Sequence, residues 1–208
     1  MAYLGISDLY RFKSMTDSAL QFAIIANSVA EANSRNDLLA MALLKISRLY
    51  KDLELLEQSN EYILRAELAI TQDQYPKIWC NILKAKALMA METGDMNRCH
   101  ELMDSAIVIA NSINDTSLSE SFMVDKAIRY YNESEYDKAI SIYESLLSRE
   151  TTSHLRMICL HSLIFIYVDQ GNLSMADDLS KVFLNLAREG VSIDHKIQAT
   201  YDRIGVLE

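Results

Sequence analysis

The chain has 208 residues and a net charge of -9, with 50% of residues hydrophobic and 24% charged. That balance argues against direct nucleic-acid binding, which needs clustered Lys and Arg to neutralise phosphates. No run of about 18 apolar residues is present to span a membrane. With five Gly and one Pro, the turn punctuation of a β-rich or α/β chain is missing, and an all-helical protein is expected.

Helical periodicity places eleven helices in chain order: 2–12, 15–33, 37–51, 54–72, 76–91, 95–112, 117–132, 135–149, 153–169, 173–188 and 194–207. The opening "MAYLGISDLY" has no basic region before an apolar core, so it is not a signal peptide; it reads as the middle of a helix. Short turn-formers divide the first helix of each pair from the second: "KSMT", "DLEL", "TGDM", "ESEY" and "QGNL". Pro76 stands at the start of the fifth helix, where Pro is tolerated. "SLSE" (Ser117 to Glu120) reads as a capping box, and "SEYD" (Ser134 to Asp137) as a looser one. Cys80, Cys99 and Cys159 are odd in number and far apart, and each sits in a helical pattern. They read as small buried apolar residues, which weakly favours a reducing, cytoplasmic setting.

One register recurs along the chain. Tyr10, Tyr50, Ala90, Tyr130 and Tyr167 fall in equivalent places, at steps of 40, 40, 40 and 37 residues. Nine residues after each come Ala19, Ser59, Cys99, Ala139 and Ala176, all small. Three residues before come Ser7, Ser47, Ala87, Ala127 and Ile164, and sixteen after come Ala26, Ala66, Ala106, Leu146 and Phe183. Small residues at fixed helical spacing mark places where two helix backbones approach closely, with the Tyr filling the space alongside.

This spacing resembles the tetratricopeptide repeat, a pair of antiparallel helices stacked into a right-handed superhelix. "AIRYYNESEYDKAISIYESLL" carries it through Ala127, Tyr130, Tyr136, Ala139 and Tyr143. "LIFIYVDQGNLSMADDLSKVFL" carries it through Tyr167, Gly171 and Ala176, and "ALMAMETGDMNRCHELMDSAI" more loosely through Ala87, Gly94, Cys99 and Ala106. The resemblance implies one all-α solenoid domain over 1–208, about five repeats plus a terminal helix, forming a segment of a longer protein. The chain departs from the family in three respects. Its period exceeds the usual 34 residues, and the Pro that closes the second helix is absent, so that helix can run on. Lys86 and Lys126 stand at a usually apolar site, and Ile164 at a small one. A HEAT-like solenoid, with a period near 40, is the alternative. "YDRIGVLE" repeats the entry spacing through Tyr201, Ile204 and Gly205, as if a sixth repeat began there.

In this family the first helix of each pair lines the concave surface. Carried over site by site, that implies a peptide-binding groove of Arg11, Lys45, Arg48, Lys51, Asn81 and Lys84 at one end. At the other end lie Leu88, Met91, Val124, Ile128, Tyr131, His161, Phe165 and Val168. Such a groove, basic then apolar, suits an extended or helical peptide. Some members clamp a terminal carboxylate with a paired Lys and Asn, but the corresponding pairs here are Leu44 with Arg48 and Lys84 with Leu88, so that activity is not implied. His100, His154, His161 and His195 are scattered, and no HExxH, GxSxG or Gly-rich phosphate loop occurs, so neither enzyme activity nor a metal or cofactor is expected. The expectation is a protein- or peptide-binding scaffold. The alternative is a ligand-sensing, regulatory segment of a larger bacterial-type signalling protein. Self-association into a homodimer is a further expectation.

Overall fold

A computed structural model describes residues 1–188; the expected helix over 194–207 and the entry spacing at Tyr201, Ile204 and Gly205 lie outside the described residues. Packing groups the chain into two compact units, Met1–Ser119 and Glu120–Glu208.

The first unit contains three helix pairs: α1 (Ala2–Phe12) with α2 (Thr16–Ala32), α3 (Asn36–Asp52) with α4 (Leu56–Ala69), and α5 (Pro76–Glu92) with α6 (Met96–Ser112). Each first helix also packs on the preceding pair, α3 on α2 and α1, α5 on α4 and α3. The second unit holds most of α7 (Thr116–Asn132), then α8 (Tyr136–Leu147), α9 (Ser153–Asp169) and α10 (Leu173–Arg188).

The first four pairs cross at the small residues of the register. In the first pair the Ser7 hydroxyl donates to the Ala19 carbonyl at 2.8 Å, and in the second Ser47 and Ser59 Oγ lie 3.0 Å apart. In the third pair Ala87 and Cys99 are fully buried, and in the fourth Ala127 and Ala139 share one apolar cluster. At such crossings a larger side chain would force the helix axes apart. Beside them the register tyrosines stack: Tyr10 on Phe22 and Tyr50 on Tyr62, with ring centroids 5.3 Å apart in both cases.

The register also fixes where the first helices stop. The amide five residues past each register position bonds back to its carbonyl: Met15 to Tyr10, Leu55 to Tyr50, Asp95 to Ala90, Glu135 to Tyr130 and Asn172 to Tyr167, at 2.8–3.0 Å. This six-to-one closure places the intervening residue in the left-handed region. Gly94 (φ 80°) and Gly171 (φ 73°) adopt it without a Cβ penalty, whereas Ser14, Glu54 and Ser134 adopt it at φ 58–62°.

Three local expectations need correction. Helix α7 is capped by Asp115, whose Oδ1 accepts from the Leu118 amide at 3.1 Å, so Ser117 lies inside the helix and "SLSE" is no capping box. At α8 the N-cap is Glu135, with no side-chain cap bond, and Ser134 instead takes the left-handed turn conformation. Helix α4 ends at Ala69, short of residue 72, because Ile70 turns extended and buries its side chain against Leu43, Ile63 and Ile82. The two out-of-pattern lysines find local partners. Lys86 Nζ reaches both Glu67 oxygens at 2.8 and 3.0 Å, and Lys126 sits over the Tyr130 ring at 5.5 Å.

Candidate functional site: an apolar cleft and a paired basic face

The face carried by successive first helices is set by three positions per repeat, six and two residues before the register position and one after it. In the first unit these are Leu4, Asp8 and Arg11; Leu44, Arg48 and Lys51; Lys84, Leu88 and Met91. In the second unit they are Val124, Ile128 and Tyr131; His161, Phe165 and Val168.

In the first unit the basic residues do not form an open positive patch. Arg11 Nε lies 2.6 Å from Asp52 Oδ2, Lys51 Nζ lies 3.3 Å from Glu92 Oε1, and Lys45 pairs with Asp8. Two of these contacts repeat: the cation sits one residue past the register position, and its carboxylate two residues past the next one. They form a ladder between neighbouring first helices. Arg48 and Asn81 are exposed, while Lys84 and Leu88 are half-buried.

In the second unit the ladder position holds Tyr131, whose hydroxyl donates to Asp169 at 2.6 Å. Here the expected residues converge. Val124, Ile128, Tyr131 and Asn132 of α7 face His154, Ile158, His161, Ser162, Phe165 and Ile166 of α9 across a cleft of about 490 Å³, with Tyr143 of α8 at its base. Ile128 is 42% exposed, so the cleft opens to solvent along that side. The His161 and Phe165 rings form one wall, centroids 4.9 Å apart. At the floor, burial pushes the Tyr143 phenol up to about 12, partly offset by a hydrogen bond with Ser162, and nearby it pushes the Cys159 thiol up to about 12. Both therefore remain neutral, apolar-side components near neutral pH. Met91 is half-buried, and Val168 packs against the Met157, Leu160 and Phe183 cluster.

Sequence reasoning missed Asn132, Tyr143, His154, Ile158, Ser162 and Ile166. A signal existed for three of them. His154, Ile158, His161 and Phe165 are spaced four, three and four apart, one stripe of a helix, and Asn132 lies one turn beyond Ile128. Tyr143 had none, since it arrives from the facing helix. Among the described residues, no three His, Cys, Asp or Glu side chains gather to hold a metal ion, and no helix is long and apolar enough to cross a membrane.

No protein-family model matches the chain, and no curated protein matches it. Solved structures do match. BtubC (BKLC) from P. vanneervenii superposes with a TM-score of 0.69 at 15% identity, covering 90% of this chain and 80% of that one. A putative kinesin light chain with nearly identical TPR-like repeats from Podospora anserina gives 0.67 at 14% identity, covering 92% and 96%. TTC0263, a thermophilic TPR protein of Thermus thermophilus, gives 0.53 at 16% identity, covering 97% and 96%. At such identities the likeness carries the fold, and it favours the tetratricopeptide reading over the HEAT-like one. The chain has the all-α helical-repeat fold of the tetratricopeptide type.

Proposed function

We propose that this chain is a scaffold that holds a protein or peptide partner along the face of its first helices, acting by shape and without covalent chemistry. The observation that supports the reading is the convergence of Val124, Ile128, Tyr131, His161 and Phe165 on one solvent-open apolar cleft. Packed helices of this kind normally bury such residues, and a concave apolar surface left open favours a bound partner. The paired cations of the first unit make a weaker contribution. Arg11, Lys45 and Lys51 are engaged by carboxylates, and the exposed Arg48 is a position there that an acidic partner segment would contact.

Site-specific photo-crosslinking tests it. A photoreactive residue at position 128 should give a discrete protein or peptide adduct in cells of the source organism. The same residue at Leu68, 87% exposed on the second-helix side, should not. Absence of an adduct at 128, or equal adducts from both positions, would remove the proposal.

A further inference from the structure

The cleft of the second unit has chemistry specific enough to say what kind of partner side chain it takes. Its eleven lining residues include no Lys, Arg, Asp or Glu. The carboxylate at its edge, Asp169, is already bonded by the Tyr131 hydroxyl. The other polar side chains on the lining are Asn132, Tyr143, His154, His161 and Ser162, and Tyr143 and Ser162 bond each other. One wall is a pair of flat rings, His161 and Phe165, tilted at 44° and therefore presenting both a ring face and a ring edge. Such a wall favours an aromatic guest over an aliphatic one, because offset and edge-to-face contacts add to the burial. The volume of about 490 Å³ lies within the range of formed ligand sites and exceeds a shallow surface dimple.

Resting on the scaffold reading, we infer that this cleft is an anchor subsite for an uncharged aromatic side chain of the partner, seated between Ile128 and the His161–Phe165 wall. A carboxylate side chain is disfavoured on two grounds: burial strips its water with no Lys or Arg on the lining to replace it, and Asp169 at the edge repels it. Binding at this subsite is insensitive to salt, since no ion pair forms across it.

The test uses the full chain labelled at isoleucine methyls, so that Ile128 reports from α7 and Ile158 and Ile166 report from α9. The probe is N-acetyl-tryptophanamide, compared with N-acetyl-leucinamide and the amide of N-acetyl-aspartate. The expected result is saturable shifts of those three methyls with the tryptophan probe, weaker shifts with leucine and none with aspartate. Ile128→Arg, at an exposed position that does not disturb the core, should weaken tryptophan binding about tenfold or more by placing a charge in the entrance. Phe165→Leu keeps apolar volume and removes the ring, and should erase the preference for tryptophan over leucine. Equal response to aspartate, unchanged binding by Ile128→Arg, or an unchanged preference in Phe165→Leu would overturn the inference. If the tryptophan probe fails while position 128 still crosslinks a partner, the aromatic anchor falls and the scaffold reading stands. If the crosslink fails, the scaffold reading falls.

Discussion

The two units solve the same packing problem with the same register, and they differ in what the register leaves on the first-helix face. In the first unit the positions flanking the register carry Arg11, Lys51, Asp52 and Glu92, which pair from one first helix to the next. In the second unit the same positions hold Tyr131 and Asp169, and the neighbouring sites hold Val124, Ile128, His161 and Phe165, which leave an open cleft. The backbone architecture is thus independent of the surface it presents. Small residues at the crossings and the six-to-one turn closures set the stacking, and three positions per repeat are then free to vary between charge and apolar area. Where those positions are charged and complementary, the face closes on itself. Where they are apolar and uneven in size, it does not.

The largest expected effect comes from removing the floor of the cleft. Tyr143 is 1% exposed and packs with Ala127, Ala139, Cys159 and Leu163. Tyr143→Ala should cost about 3–5 kcal/mol. Hydrogen exchange should show protection lost across α8 and α9, with α3 and α4 of the first unit unchanged. Loss of protection in both units together would show that they unfold as one body.

A smaller difference should appear at alkaline pH. Burial raises Cys80 in the first unit from an ordinary 9.0 to about 11, and raises Cys159 and Tyr143 in the second, from 9.0 and 10.0, to about 12 each. These groups ionise more readily in the unfolded chain. Their contribution is therefore complete below the ordinary values and is lost as pH climbs toward the raised ones. The urea midpoint should fall from about pH 9 upward. The Cys159→Ala, Tyr143→Phe pair should flatten that fall more than Cys80→Ala does. Equal flattening by the two would contradict the larger upward shifts of the second unit's groups.

The ladder should matter least. Asp52→Asn removes the partner of Arg11 at a part-exposed site, where such pairs are worth less than about 1 kcal/mol. Thermal unfolding should shift slightly at low salt and hardly at all in 1 M salt, where the Debye length is about 3 Å. A large, salt-independent loss would mean that Asp52 does more than pair with Arg11.

Much of the fold was legible because its causes are local. All ten helices within the described residues were expected within a few residues of their bounds, and the crossing sites at Ser7 with Ala19 and Ser47 with Ser59 were expected in register. Helix periodicity, scarce breakers and the spacing of small residues are properties of a few turns of chain. One error was local in cause and another distant. Asp115 was overlooked as a cap in favour of Ser117, since a plausible Ser-x-x-Glu does not reveal which residue starts the helix. Ile70 left its helix because a pocket between Leu43, Ile63 and Ile82 was available to it.

For the candidate site the division is sharper. By itself the sequence determined which helical faces exist, which residues each face carries, and that the later ones are apolar and aromatic. Only the tertiary structure decided that Arg11, Lys45 and Lys51 meet carboxylates 37 to 41 residues away, and that Tyr143 reaches under α7 and α9 to close a cleft. The physical reason is range. A helix and its amphipathic face arise from interactions between residues three and four apart, whereas the state of a charge or the depth of a hollow depends on whatever another helix brings against it.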